Sequence, residues 1–398
     1  MYERIERFEK MGFGMFVHFG LYSIIGKGEW ALSRLSLDHE KYKTLPSKFK
    51  VKKTWAKELV AAAKRAGCKY ITLTTRHHDG FSLYDTCGIN DYDAPHSASG
   101  RDLVREFVDE CNKEGIVPFF YHTLLDWYNT DYDNDFPKYI DYLIKSVEIL
   151  CTRYGKIGGL WFDGFWNKPT ADWQFDRLYG MIRKHQPDAM IINNTGMSDM
   201  GTVGHSEIDS VTFERGKPHI SDYGERPVAT EMCEVFGDHW GYAERDLSFR
   251  SLEYMLSELI VCRSQNANML LNVGPTGNGS LRLLDKAMLL EIGKWIKFNK
   301  DFIYKVRYTD IEAENAIMMK GVGGEYYSVT RVHMFEDVAR GKANSPVVTV
   351  KGYKIKSARW LDNGKRIKIL DGSSYETVPF EYGTSMIYRV AKLTLEKE

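Results

Sequence analysis

From residue 13 to about residue 300 the chain repeats one unit, a short apolar segment followed by a stretch with helical spacing, and few folds accommodate that repetition. Trp55, Leu59, Val60 and Ala63 share one face of 54–67 ahead of Gly67. Leu103, Val104, Phe107 and Val108 do the same over 102–115 ahead of Gly115. Further helices are expected at 138–154, 172–185, 248–265 and 284–299. Strands are expected at 14–20, 70–75, 117–123, 159–165, 190–194, 209–214, 228–233 and 269–273. The stretch 196–247 shows no helical pattern. An α/β fold follows, a (β/α)8-like barrel with an irregular second half. After Tyr304 the pattern changes to short segments rich in Val, Tyr and Thr, broken by Gly-Gly, Asn-Gly and Asp-Gly turns. It predicts an antiparallel β-sandwich, so the expected domains are 1–304, the barrel, and 305–398, the sandwich.

Composition narrows the partners. With 54 basic and 54 acidic residues the net charge is zero, which points away from nucleic acid and from anionic membrane surfaces and suits a neutral polar ligand. No run of 18 apolar residues occurs, and the N-terminus lacks the pattern of a signal peptide. A soluble, cytoplasmic protein is expected, or a secreted one if a signal peptide has been trimmed. Self-association into a homo-oligomer is compatible with the sequence. The six cysteines are scattered without zinc-site spacing and read as reduced, mostly buried thiols.

Function on such a barrel collects where strands end. Gly159-Leu160-Trp161-Phe162-Asp163-Gly164 reads as an apolar strand that delivers one carboxylate at its C-terminal end, which makes Asp163 a candidate nucleophile. Its bland alternative is a turn cap or an arginine partner. An earlier strand ends in His18, and another runs into Arg76-His77-His78-Asp79-Gly80-Phe81. A metal reading of His77 and His78 with Asp79 is disfavoured, because adjacent residues on an extended strand point to opposite sides unless a bulge intervenes, and a metal-dependent hydrolase centred on His18, His77 and Asp79 is kept as a competitor. Hydrogen bonding from the imidazoles to ligand hydroxyls fits better, and no cofactor or metal is expected. Tyr121-His122, Asn193-Asn194 and Asn272 add polar strand ends. Glycoside hydrolysis with retention needs a second carboxyl about 5 to 5.5 Å from the first. Glu214 is favoured, Glu231 is the alternative, and Glu207 and Glu234 are weaker.

Together these motifs resemble the family 29 glycoside hydrolases, the retaining α-L-fucosidases. The resemblance spans about 10 to 300 and rests on His18-Phe19-Gly20 with Gly28-Glu29-Trp30, Arg76 to Phe81, Trp161-Phe162-Asp163-Gly164, His239-Trp240-Gly241-Tyr242, and Asn268 to Pro275, in the family's order. It implies hydrolysis of terminal α-L-fucose on fucosylated glycans through a covalent fucosyl-enzyme, without a metal. Asp163 matches the nucleophile, and His18, His77 and His78 match residues that bind the fucose hydroxyls. Tyr121 and Trp30 look like further members of that pocket. Trp161, Phe162, Trp240 and Phe81 are candidates to receive the C6 methyl. Thr195 stands where many members have an arginine, for which Arg215 is a conceivable substitute. Thr230 stands where a tryptophan is usual, a change expected to alter the aglycone wall. The competing readings are a catalytically weak fucose-binding protein and a related glycosidase acting on galactosides.

Overall fold

The computed structural model describes residues 3–220, 226–332 and 345–398. They form two compact units, Met1–Arg250 with Asn268–Leu290, and Ser251–Ala267 with Glu291–Glu398.

In the first unit eight parallel strands close into a barrel in chain order. They are β1 (Phe13–Val17), β2 (Tyr70–Arg76), β3 (Val117–Thr123), β4 (Gly159–Asp163), β5 (Met190–Asn193), β6 (Ser210–Glu214), β7 (Ala229–Val235) and β8 (Asn268–Val273). Every expected strand is present. Phe16, Tyr70, Phe119, Tyr121, Trp161, Ile192, Cys233 and Leu270 share one buried cluster inside the barrel. They occupy alternate strand positions, as a period of two requires. That alternation also sorts the strand ends, since Asp163 follows Trp161 by two residues and His18 follows Phe16 by two.

The expected helices appear as Trp55–Ala66, Leu103–Glu114, Phe136–Arg153, Phe175–His185, Leu252–Ser264 and Leu283–Phe298. Gly67 and Gly115 end the first two in left-handed conformation, and Asp102 caps the second by accepting from the Arg105 N–H. A helix over Glu3–Met11 was not expected. Its buried Ile5 and Phe8, three residues apart, were the available signal, and Phe8 packs on Tyr70 and Phe119 inside the barrel. Among the described residues no helix lies between β5 and β7. No described helix is long and apolar enough to cross a membrane.

The second unit carries two antiparallel sheets, built from β9 (Val306–Arg307), β10 (Ala313–Glu314), β11 (Ile317–Gly321), β12 (Tyr326–Arg331), β13 (Val347–Val350), β14 (Tyr353–Trp360), β15 (Ser374–Glu376) and β16 (Tyr388–Lys397). One sheet has the order β10-β13-β15 and the other β14-β16-β12-β11-β9. Val348, Val350 and Tyr375 from the first share a core with Met318, Ile355, Trp360 and Leu393 from the second, so the pair is a sandwich.

Candidate active site

A cavity of about 560 Å³ opens at the C-terminal ends of the barrel strands. His18, Trp30, His77, Tyr121, Trp161, Asp163, Glu214 and Trp240 all line it.

Asp163 sits at its centre because β4 is squeezed between its neighbours. A side chain at Gly159 would meet Phe119 at 2.6 Å and the Met190 carbonyl at 2.7 Å, so glycine alone lets β4 pass. Gly164, at φ +98°, then turns the chain away immediately behind the carboxylate, where a Cβ would lie 2.7 Å from the Leu125 N. Three donors orient Asp163. The Tyr121 hydroxyl donates to Oδ2 at 3.0 Å, while Trp166 Nε1 and Asn194 Nδ2 donate to Oδ1 at 3.1 and 3.2 Å.

Asn194 links the two carboxyl groups. The Thr212 hydroxyl donates to its Oδ1 at 3.0 Å and the Gly196 N–H at 3.3 Å, so the amide NH2 must face the other way. From there it donates to Asp163 Oδ1 and, at 3.0 Å, to Glu214 Oε2. These two carboxylate oxygens therefore lie within about 6 Å of each other, below the separation of roughly 6.5 Å at which inverting pairs begin. Burial and the neighbouring Asp163 charge push the Glu214 carboxyl above its usual value, and the Asn194 hydrogen bond opposes them.

The imidazoles arrive by a route the strand rule did not foresee. The β2–β3 register shifts between Thr74 and Arg76, and beyond that irregularity the His77 and His78 rings lie 4.2 Å apart, His77 in the cavity lining and His78 outside it but 3.5 Å from Asp163. Their hydrogen bonds select tautomers. Asn272 Nδ2 donates to the Trp240 carbonyl, so its Oδ1 accepts from His18 Nδ1 at 2.7 Å and leaves His18 Nε2 as an acceptor. The Thr123 hydroxyl donates to the Leu125 carbonyl and accepts from His78 Nδ1 at 2.7 Å, which leaves His78 Nε2 bare, 3.5 Å from Asp163 Oδ2. Burial lowers His18 to about 3 and His78 to about 4, so both are neutral near pH 7. His77 Nδ1 is buried without a hydrogen-bond partner, and its ring stacks on Tyr121 at 5.6 Å. Neutral imidazoles with a free ring nitrogen suit hydroxyl groups. Asp79 is taken by the Tyr42 hydroxyl at 2.7 Å, and among the described residues no three His, Cys, Asp or Glu side chains form a metal-holding group.

Other expectations need correction. Glu231 does not line the cavity. It is buried inside the barrel, accepting hydrogen bonds from the Tyr70 hydroxyl and, at 2.9 Å, from Trp161 Nε1, and burial raises it to about 7. Phe162 and Phe81 are absent from the lining and pack on Tyr179 and on Phe49 and Tyr92 instead. Thr230 is absent too, because it sits one residue from the inward position of Glu231. Thr195 donates to the Asp199 carbonyl, and exposed Arg215 lies over the Trp240 ring at 5.3 Å and donates to the Asp238 carbonyl, outside the cavity lining. Asn194, one of the polar strand ends, lines the cavity, and so do Glu29, Arg34, Trp166 and Cys233, which the sequence reading did not assign to the site. Glu29, beside Trp30 in a motif already singled out, accepts from the Gly241 N–H at 2.7 Å.

A barrel with paired carboxyls, neutral imidazoles and aromatic walls at its strand ends has the architecture of a glycoside hydrolase. The alpha-L-fucosidase family profile matches residues 2–301. The structure of alpha-L-fucosidase isoenzyme 1 from Paenibacillus thiaminolyticus superposes with a TM-score of 0.88 at 30% identity, covering 99% of each chain. An alpha-L-fucosidase of Dictyostelium discoideum is 26% identical over 334 residues, 75% of this chain and 70% of its own. An alpha-L-fucosidase of Bacteroides thetaiotaomicron, trapped as a covalent intermediate with 2-fluoro-fucosyl fluoride, shares the fold with a TM-score of 0.83 at 23% identity, covering 100% of this chain and 97% of its own. The chain belongs to the alpha-L-fucosidase family of glycoside hydrolases.

Proposed function

We propose that the protein removes terminal α-L-fucose from fucosylated glycans by an exo-acting, retaining mechanism, with Asp163 as nucleophile and Glu214 as acid and then base. The observation that carries this reading is the Asn194 amide donating to both carboxylates, which keeps their facing oxygens within about 6 Å, close to the roughly 5 to 5.5 Å of retaining pairs. Asp163 attacks the anomeric carbon while Glu214, kept protonated by burial and by the Asp163 charge, protonates the departing oxygen. Esterification removes that charge. The Glu214 carboxyl then falls in pKa and can take a proton from the water that releases fucose, restoring Asp163. The covalent intermediate trapped in the Bacteroides thetaiotaomicron relative supports the same route. A cavity whose inner end is lined by buried His18, Tyr121 and Trp161 supports the exo reading.

The test is release of nitrophenol from 4-nitrophenyl α-L-fucoside by wild type, Asp163→Gly and Glu214→Ala, with and without azide. Nitrophenol leaves with little acid assistance, so Glu214→Ala should stall after glycosylation until azide attacks the fucosyl-enzyme, whereas in Asp163→Gly azide attacks the substrate itself and gives β-fucosyl azide. Azide rescue of Glu214→Ala with an α-configured azide product is the expected result. Full activity in Asp163→Gly, or the lack of any rescue in Glu214→Ala, would reject the assigned pair.

A further inference from the structure

The cavity grades from closed to open. His18, Tyr121 and Trp161 are buried, whereas Arg34, Met197 and Ser198 are exposed. The open end is organised around Trp30, whose ring lies 5.8 Å from that of Trp166 and 25° from parallel. The Arg34 guanidinium lies 5.2 Å from the Trp30 ring centroid. Gly196 extends the band, since a Cβ there would come within 3.1 Å of Trp166 Cδ1. The result is an aromatic shelf with a cation at one end.

That cation is unmatched. Among the described residues no ion pair or hydrogen bond engages the Arg34 side chain. The other charged side chains of the lining are Glu29, Asp163 and Glu214, all acidic. With 54 basic and 54 acidic residues the protein has no net charge to draw an anion in, so any such preference must come from the rim itself. A guanidinium stacked on an indole is weakly hydrated, and its donors remain free along the ring edge.

Resting on the fucosidase reading above, we infer that this rim is a leaving-group subsite that favours an aglycone bearing a negatively charged substituent, a sulfate ester or a carboxylate. The aglycone ring lies along Trp30 and Trp166 and Arg34 holds the anion. Arg34 keeps that charge clear of the acidic pair deeper in the cavity.

The experiment compares kcat/KM for 4-nitrophenyl and 3-carboxy-4-nitrophenyl α-L-fucosides in wild type, Arg34→Gln and Arg34→Lys. Both leaving groups are activated nitrophenols, so the ratio reports the carboxylate. Exposed ion pairs support a wild-type preference of roughly two- to fivefold for the carboxylated substrate, weakening with added salt. The preference should vanish in Arg34→Gln and persist in part in Arg34→Lys. A ratio of one or less in wild type, or a preference that survives in Arg34→Gln, overturns the inference while leaving fucosidase activity in place. No turnover of either fucoside by wild type overturns the fucosidase reading and this inference with it. A matched pair of fucosyl disaccharides, neutral and sulfated on the leaving sugar, shows through the same Arg34-dependent ratio whether sulfate shares the subsite with carboxylate.

Discussion

Two stretches of the barrel wall are held together in different ways. In the arc from β1 to β4 the backbone does the work, with β2 and β3 in register from Tyr70–Val117 to Arg76–His122 and β3 and β4 from Phe119–Gly159 to Thr123–Asp163. At the β5–β6 seam the ladder is one pair, Ile192 and Ser210, beside a backbone hydrogen bond from the Asp209 N–H to the Ile191 carbonyl at 2.8 Å. There a side chain takes over. Buried Asp209 accepts from Arg4, Arg183 and Arg226 at 3.0, 2.5 and 2.7 Å, and from the Ile191 N–H at 2.9 Å. The ladder-built arc carries the imidazoles, Tyr121 and Asp163, and the seam carries Asn194 and Glu214. Asp163 and the imidazoles thus stand beside continuous backbone registers, while Asn194 and Glu214 flank a seam whose ladder is a single pair.

The largest break in this comparison comes from Asp163→Gly. Loss of the nucleophile should lower kcat by about 10⁴-fold or more on any fucoside, since no neighbouring group replaces it. Glu214→Gln should separate substrates, losing about 10² to 10⁴ in kcat/KM on natural fucosides and far less on a nitrophenyl fucoside, because only poor leaving groups need the proton. In wild type, kcat/KM should fall as pH rises through the raised Glu214 pKa, and this limb should disappear in Glu214→Gln.

Asn194→Ala removes a donor shared by the two carboxylates. With hydrogen bonds to charged groups contributing about 1.5 to 3 kcal/mol, a loss of roughly ten- to a hundredfold in kcat/KM is expected. A KM effect with unchanged kcat would show that the amide binds substrate rather than positioning the pair. At the seam, Asp209→Ala leaves three arginines without their shared anion and should cost about 3 to 5 kcal/mol, read by urea unfolding. A cost below about 1 kcal/mol would mean that the seam is held by packing instead.

Glu231→Gln sharpens the contrast between two glutamates on adjacent strands. The Glu231 carboxyl is raised from 4.5 to about 7 by burial, so between those values the unfolded chain has lost a proton that the folded one keeps. Stability from this group is present below about pH 4.5 and falls by roughly 3 kcal/mol as pH rises through 7. Urea unfolding at pH 5 and pH 8 should show that fall in wild type and not in Glu231→Gln. If Glu231→Gln instead lowered turnover of poor leaving groups as much as Glu214→Gln does, the acid/base would have to be reassigned.

Much of this was readable along the chain. The eight strands follow from apolar runs bounded by turn residues, and the helices from spacing and closing glycines, because both signals are local. Asp163 was legible for the same reason: its strand, its position and the glycine behind it lie within six consecutive residues. The Glu3–Met11 helix was missed because two buried residues in a charged segment make a faint pattern.

The two glutamates mark where local reading stops. Glu214 ends β6, whereas Glu231 is the third residue of β7 and lies level with Thr212, two residues deeper in the barrel, a difference in depth that the register sets. The closed ring separates them, setting Glu214 beside Asn194 and Asp163 while Glu231 goes beneath Trp161 with Tyr70. Likewise the His77 and His78 rings come within 4.2 Å of each other just past the slipped end of β2, and Phe162 is excluded by strand parity once β4 is in place. Short-range spacing and turn chemistry set the elements, their order and the strand that carries Asp163. Which carboxyl faces which, and which nitrogen is left free, depended on residues 20 to 250 positions apart, and only the tertiary structure could decide them.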